Sequence, residues 1–303
     1  MAAMAKDQTI PPSVKEASPG RRIWLATWAQ TEFKVGFILF ILLVSTAFLY
    51  PWISQVDPTK LAPRNRFLPP VFLEGGTWAH VLGTDQLGRD LLIRSLVGLQ
   101  NALMISLAVV ILMFAFGVTV GMIAGYRGKW IDTILMRLTD AQLSVPLIIL
   151  AIIILTVSRP TPFSVILVLA LAGWPVYARV SRSVMLAERR REYVRGAKIL
   201  GASDSRIIWL LIAPNILPPI AFVAVLDIAR MMIFESILGF IGIGIQPPTP
   251  TFGTIIADGR KYLINAWWIA TMPGAFLFLT LLGINLMGAA LERARNRLLR
   301  GTI

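Results

Sequence analysis

Five charged side chains lie inside long apolar runs of this sequence: Arg137 and the four residues Asp140, Asp227, Arg230 and Glu235. Charges in such runs are costly in a membrane, and they usually face protein, water or a permeating solute. Carboxylates in membranes can also relay protons. That interpretation has little support, because His80 is the single histidine and no chain of carboxylates extends through several runs. We therefore predict that the four residues line or gate a pathway.

Local spacing predicts partners for these charges. Asp227 and Arg230 are three residues apart, which places both on one helix face, where they can form an ion pair. Arg230 could also meet a passing carboxylate, but the pair with Asp227 is favoured. Arg137, one turn before Asp140, is the expected partner of that residue. Glu235 follows near the end of its run.

Catalysis and metal binding have little support in the sequence. The chain has no cysteine, which excludes thiolate metal sites, thiol catalysis and disulfide scaffolds. Gly128-Lys129 is followed by Trp130 and lacks the glycine five residues upstream that a phosphate-binding P-loop requires. We therefore predict no catalytic residue, no metal site and no cofactor bound by this chain.

The elements that carry these charges are membrane helices. The 303 residues are 56% hydrophobic and 15% charged, with a mean hydropathy of +0.72, whereas soluble domains have about 25% charged residues. A helix needs about 20 apolar residues to cross a bilayer. Six runs qualify: Val35–Trp52, Ala102–Tyr126, Ile134–Val157, Phe163–Ala178, Leu211–Ile241 and Trp267–Leu291. The predicted fold class is an all-α integral membrane protein with six transmembrane helices. We expect the helix of the short fourth run to continue into the basic residues after it.

Basic residues predict the orientation of these helices. Arginine and lysine are concentrated before the first run and after the second, fourth and sixth, and cytoplasmic loops carry such an excess. Both termini are therefore predicted to be cytoplasmic. Because the net charge of +13 lies beside membrane segments, we expect membrane lipid as a partner and no nucleic acid. Trp24, Leu25 and Trp28 lie among charges, which predicts an interfacial amphipathic helix or, alternatively, a partly disordered tail.

Glycine and proline mark packing and bending in the predicted helices. Gly117, Gly121 and Gly125 lie on one face of the second helix and predict close packing against a neighbour. Pro146 and Pro175 each remove a backbone donor and should kink the third and fourth helices. These kinks could be gating hinges or static bends.

The basic segment after the fourth run predicts two short helices. Tyr193, Ala197 and Leu200 recur at helical spacing, and Gly201 should end that helix. Ser203 can cap a second helix. A simpler interpretation is a basic loop that only sets topology, but such a loop does not account for this pattern.

Three motifs carry a family resemblance. Arg195-Gly196-Ala197, Gly201 and Leu211-Ile212-Ala213-Pro214 resemble the EAA loop of bacterial ABC importer permeases, with Arg195 in place of the usual glutamate. The run Leu82-Gly-Thr-Asp-Gln-Leu-Gly-Arg-Asp90 resembles an element of dipeptide and oligopeptide permeases. Residues 238–253 resemble a second such element, with Gly239 in place of serine and Phe252 in place of tryptophan. The chain thus resembles the C-type permease subunit of these importers.

The resemblance implies a type I ABC importer permease fold in the bacterial inner membrane. It implies as partners a second permease in a heterodimer, two ABC ATPase subunits that use ATP and Mg, and an extracytoplasmic binding protein. It also implies that the loop couples to the ATPases through Glu192, Arg195, Gly196, Ala197, Gly201, Ala202, Asp204 and Arg206, with Ala197, Gly201 and Ala202 nearest to them. Pro247–Pro250 would lie near the binding protein or the gate, or would form a rigid turn.

The implied organisation has four parts. Residues 1–34 form a cytoplasmic tail with the interfacial helix, and 35–98 form the first membrane helix and an extracytoplasmic segment. Residues 99–292 form the ABC transmembrane type-1 domain, with the coupling loop at about 188–208, and 293–303 form a second tail. The alternatives are an ion-coupled secondary transporter, an ABC importer of a non-peptide solute such as a nickel chelate or glutathione, and a purely structural membrane subunit.

Overall fold

The computed structural model describes residues 19–158 and 160–299 and folds them mainly into helices. The helices are α1 (Pro19–Trp28), α2 (Thr31–Ser54), α3 (Leu91–Arg127), α4 (Lys129–Leu143), α5 (Leu147–Val157), α6 (Pro162–Glu188), α7 (Glu192–Ile199), α8 (Asp204–Arg206), α9 (Ala213–Ile241), α10 (Phe252–Gly259) and α11 (Trp268–Leu299). A π-helical turn, Ile207–Ile212, joins α8 to α9. Within these ranges, β structure is limited to one bridge between Thr84 and Asp90. Residues 1–18 and 300–303, which belong to the predicted tails at 1–34 and 293–303, and Arg159 lie outside the described residues.

Five helical segments in the described ranges are long and apolar enough to cross a bilayer. They are α2, α3, α6, the continuous segment Asp204–Ile241 and α11. They overlap the first, second, fourth, fifth and sixth predicted runs, so these predictions are confirmed. Helix α3 begins at Leu91, earlier than predicted, because Asp90 caps it. Helix α6 continues to Glu188, into the basic segment, as the short fourth run suggested.

The third predicted run, Ile134–Val157, is not one kinked helix. Helices α4 and α5 meet at a bend of 82°, and α5 has 11 residues. At 1.5 Å per residue α5 is about 16 Å long, roughly half of a 30 Å bilayer core. Pro146 cannot donate a backbone hydrogen bond and disfavours helical geometry at Val145. The chain therefore breaks before Pro146, and the predicted simple kink is wrong. Pro175, by contrast, lies inside the uninterrupted α6.

The packing of α3 against α6 forms the centre of the largest core cluster. The three glycines of α3 face this contact: Gly117 lies against Trp174 and Tyr177, and Gly121 against Ala178 and Ser181. A methyl group on Gly125 would lie 2.9 Å from the Met185 Cβ. The predicted close packing along this glycine face is confirmed.

A second contact joins the first and last long helices. Gly36 of α2 faces the Gly283 carbonyl of α11, and a methyl group there would lie 2.8 Å from that oxygen. The Gln30 amide donates to the Ala290 carbonyl over 2.9 Å, and Glu32 pairs with Arg293 at 3.4 Å. The amphipathic helix expected around Trp24 is present as α1 and packs along α11.

Candidate functional site

The polar loop, Glu188–Arg206, has the predicted helix-glycine-helix form. Helix α7 ends at Ile199, and Gly201 adopts a φ of 81°, a left-handed conformation that glycine reaches without a steric penalty. The Ser203 hydroxyl then accepts from the Arg206 backbone N–H at 3.4 Å and caps α8. Both sequence predictions, the break at Gly201 and the cap at Ser203, are confirmed.

The polar loop is fastened to the last turn of α3. Arg189 donates from Nη1 to the Gly125 carbonyl over 2.7 Å and to the Tyr126 carbonyl over 3.2 Å. These carbonyls end a helix, where a cation is favourable. The Tyr126 hydroxyl donates to Asp204 Oδ1 over 2.8 Å, and Arg127 lies 3.9 Å from the same carboxylate. Movement of the loop therefore involves α3.

A second fastening joins the loop to α6 and α9. The Tyr193 hydroxyl donates to Glu188 over 2.8 Å and accepts from the Asn215 amide at 3.3 Å. Partial burial and the bond to Glu188 raise the pKa of Tyr193. Val194 is buried beside the main core. The loop is thus attached to three helices, α3, α6 and α9.

The predicted coupling residues divide by exposure. Glu192, Arg195, Gly201 and Arg206 are exposed, whereas Gly196, Ala197, Ala202 and Asp204 are half-buried. Ala197 and Ala202 pack toward the core of this chain. Within the described residues, a methyl group on Gly201 would meet nothing within 4 Å. Gly201 therefore serves the turn itself and not a close contact inside this chain.

Sequence reasoning missed the two most exposed apolar side chains of the loop. Ile199 is 86% exposed and Leu200 is 88% exposed, next to the turn at Gly201. We had assigned Leu200 to the apolar face of the first helix. The sequence did carry a signal for this exposure, namely two adjacent apolar residues at the end of a polar helix. Neighbouring residues of a helix point in different directions, so at most one of the two side chains can face the core.

Of the predicted pathway charges, Asp227 and Arg230 are brought together and Asp140 is not paired as expected. Arg230 Nη2 lies 3.0 Å from Asp227 Oδ1, which confirms that pair. Asp140 pairs with Arg179 of α6 at 2.7 Å, and not with Arg137. The bend before α5 lays α4 across α6, where Asp132 also pairs with Arg182, at 2.5 Å. A partner from another helix replaces the local one.

Glu235 is isolated from the other three pathway residues. Its side chain is 1% exposed, and the Ser236 hydroxyl lies 3.5 Å from Oε2. In the described part of the chain Glu235 Oε1 has no hydrogen-bond partner, and no hydrogen bond or ion pair links Glu235 or Asp140 with the Asp227–Arg230 pair. The four predicted residues therefore do not form one site.

The element Leu82–Asp90 forms a buried polar cluster at the start of α3. Asp85 is 2% exposed and pairs with Arg89 at 2.7 Å and with Arg94 at 3.4 Å. Asp90 caps α3 by accepting from the Ile93 backbone N–H over 3.0 Å, and it contacts His80 at 2.8 Å. This motif holds the beginning of α3 in place.

The proline-rich stretch Pro247–Pro250 closes against the same helix. The Asn101 amide of α3 donates to the Pro250 carbonyl over 2.9 Å. Thr251 and Thr254 then form a capping box that starts α10. The rigid-turn interpretation is supported by these bonds, while a role near a binding protein or gate stays a prediction.

Long apolar helices, one bent helix pair and a fastened polar loop define a multi-pass membrane protein. Residues 117–297 match the family model described as the inner membrane component of binding-protein-dependent transport systems, and the chain belongs to this family. The predicted importer permease is thereby confirmed at the level of the family.

Relatives and solved structures agree with this assignment. The chain is 34% identical to the di/tripeptide transport system permease protein DppC of Pseudomonas aeruginosa, over 97% of each chain. It is 36% identical to the probable D,D-dipeptide transport system permease protein DdpC of Escherichia coli, over 88% of this chain and 87% of the relative. A chain from an inward-facing structure of the MetNI methionine ABC transporter matches with a TM-score of 0.52 and 17% identity, over 70% of this chain and 96% of that one. This likeness confirms the type I importer permease fold.

Proposed function

We propose that this chain is one permease subunit of an ATP-driven importer of dipeptides or oligopeptides in the bacterial inner membrane. The observation that carries the proposal is the similarity to DppC along 97% of the chain. A second permease completes the translocation path, and two separate ATPase subunits hydrolyse ATP with Mg. An extracytoplasmic binding protein delivers the peptide.

The polar loop is the surface that the ATPases contact. Its exposed apolar pair, Ile199 and Leu200, suits burial in a partner groove. Its fastening through Arg189, Asp204 and Tyr193 supports transmission, because a rigid element passes a displacement to the helices that hold it. Its basic residues support a cytoplasmic position for the loop and for both termini.

Reconstitution with the second permease and the ATPases tests this proposal. Ile199→Asp should abolish co-purification of the ATPases, since it places a charge in an apolar contact. Ile264→Asp is the matched control, because Ile264 is 96% exposed and belongs to the connection before α11 at the other end of the bundle. Equal ATPase recovery from both variants would contradict the coupling assignment.

Transport measurements separate the proposed function from its alternatives. Proteoliposomes should take up labelled dipeptide only with ATP and the binding protein, and an ionophore should leave this uptake unchanged. Uptake that an ionophore abolishes without ATP would indicate an ion-coupled transporter. Preferential uptake of a nickel chelate or of glutathione would keep the importer and replace the peptide as its substrate.

A further inference from the structure

A charged pair interrupts the exposed face of α9 near its middle. Arg230 lies eleven residues before the end of the helix at Ile241, which is about 16 Å and close to the midplane of a bilayer core about 30 Å thick. The Arg230 side chain keeps 41% of its surface exposed, as do its apolar neighbours Ile233 at 40% and Ile237 at 37%. An arginine at this depth does not face lipid without a large cost. This face of α9 therefore borders water or another protein.

The polar atoms around Arg230 have unused hydrogen-bonding capacity. Asp227 is 7% exposed and contacts Arg230 Nη2 at 3.0 Å. The buried Tyr177 hydroxyl, from α6, interacts with the same Asp227 carboxylate. Among the residues that the structure describes, Arg230 Nε is buried without a hydrogen-bond partner, and Nη2 has only its ion pair with Asp227. Buried polar groups are normally satisfied, so a ligand can complete this cluster.

We propose that Arg230, held by Asp227 and Tyr177, binds the carboxylate of a short peptide as it crosses the membrane. The proposal rests on the proposed function, since it names the part of the transported peptide that this chain would contact. A guanidinium has five N–H donors and pairs with carboxylates in a bidentate manner. The contact with Asp227 therefore leaves capacity for a second carboxylate.

The neighbouring Asp227 also explains why such a site would release its ligand. A lone buried arginine would hold an anion tightly, whereas a permeation site must bind weakly enough for the solute to leave. The Asp227 carboxylate offsets the charge of Arg230 and competes for the same donors. The pair thus accepts a peptide carboxylate by exchanging one carboxylate contact for another.

The apolar groove between α3 and the opposite side of α9 supplies a position for a control cysteine. Ala221, Ala224 and Ile228 line an apolar groove with Leu107 and Ile111 of α3. At 100° per residue these α9 positions point away from Arg230. Ile111 is 56% exposed, so a probe there reports on an apolar surface of the same helix pair.

Single-cysteine variants can test the proposed binding site at Arg230, because this chain has no native cysteine. Arg230→Cys in the complete importer should lower dipeptide uptake at least tenfold. Treatment with 2-aminoethyl methanethiosulfonate, which attaches an ammonium group, should restore most of it, and 2-sulfonatoethyl methanethiosulfonate should not. Added dipeptide should slow the reaction of Arg230→Cys with each reagent. The control Ile111→Cys, on the apolar groove, should react with neither reagent. Unchanged uptake by Arg230→Cys, or equal uptake with the sulfonate adduct, overturns the proposal.

A double variant separates ligand binding from simple charge balance. If Arg230 only neutralises Asp227, the variant Asp227→Asn/Arg230→Gln should transport as well as the unmodified protein, and that result also overturns the proposal. We expect uptake to stay at least tenfold lower. Absence of peptide uptake by the unmodified complex would contradict the proposed function as a whole. Normal uptake by the unmodified complex, together with unchanged uptake by the Arg230 variants, would contradict only the proposed binding site at Arg230.

Discussion

Arg189 of the polar loop donates to the Gly125 carbonyl over 2.7 Å, at a position where the next residue, Tyr126, holds Asp204 over 2.8 Å. One turn at the end of α3 thus fixes both sides of the glycine turn. The two bonds use opposite chemistry, since the arginine satisfies free carbonyls at the helix end and the tyrosine hydroxyl donates to a carboxylate. Several predictions on coupling depend on this double attachment.

Removing the first attachment should loosen the loop without unfolding the protein. Arg189→Ala deletes a charge-assisted hydrogen bond worth about 1.5 kcal/mol. We expect faster hydrogen exchange in α7 and a severalfold fall in peptide-stimulated ATP hydrolysis. Arg190→Ala is the control at the adjacent position. If α7 exchanges equally in both variants, the attachment has no mechanical role.

Changes at Gly201 should affect coupling and not assembly. Gly201→Asp places a charge on an exposed turn with a φ of 81°, a conformation that costs most L-residues about 1–2 kcal/mol. We expect an inserted, assembled complex whose ATP hydrolysis no longer drives uptake of radiolabelled peptide in proteoliposomes. Gly274→Ala is the control, because Gly274 lies within α11, away from the polar loop, and a methyl group there meets nothing within 4 Å among the described residues. Normal uptake by Gly201→Asp would remove this turn from the coupling path.

The α3–α6 contact should fail when its central glycine gains a side chain. Gly121→Val would push against Ala178 and Ser181, and overpacking of this kind costs on the order of 3 kcal/mol. The thermal unfolding midpoint in detergent should fall by several degrees. Gly274→Ala in α11 should leave it unchanged or raise it, because a methyl group there has free space within the described part of the chain. Equal midpoints would show that the two helices can separate at little cost.

The buried carboxylate at the start of α3 should be required for stability. Asp85→Asn leaves Arg89 and Arg94, both nearly buried, without their shared counter-charge, and breaking a buried ion pair costs about 3–5 kcal/mol. Glu74→Gln, at an exposed position, should change the unfolding free energy by less than about 0.5 kcal/mol. The measurement is the resistance to proteolysis of the segment between α2 and α3, compared between Asp85→Asn, Glu74→Gln and the unmodified protein. A fully resistant Asp85→Asn would show that the two arginines find other partners.

Features set by local geometry were predictable from the sequence. Five of the six membrane runs follow from apolar length, since the bilayer imposes that length on each helix. The Asp227–Arg230 pair follows from a three-residue spacing on one helix. The break at Gly201 and the cap at Ser203 follow from properties of single residues.

Features that depend on contacts between distant residues were not predictable. Proline marks a bend at residue 146, but its size depends on how α4 packs on α6 through Asp132–Arg182 and Asp140–Arg179. Asp140 pairs with Arg179 of the neighbouring helix α6 instead of Arg137 of its own helix. The exposure of Ile199 and Leu200 depends on how α7 lies against the core. Both side chains are exposed.

Helix α3 joins the buried cluster around Asp85 to the fastened polar loop in a single element. Its 37 residues make a rod about 55 Å long, capped by Asp90 at one end and held by Arg189 at the other. A rod fixed at both ends cannot shift at one without shifting at the other. We therefore expect a displacement of the polar loop along the axis of α3 to reach the Asp85 cluster at the other end of the same helix.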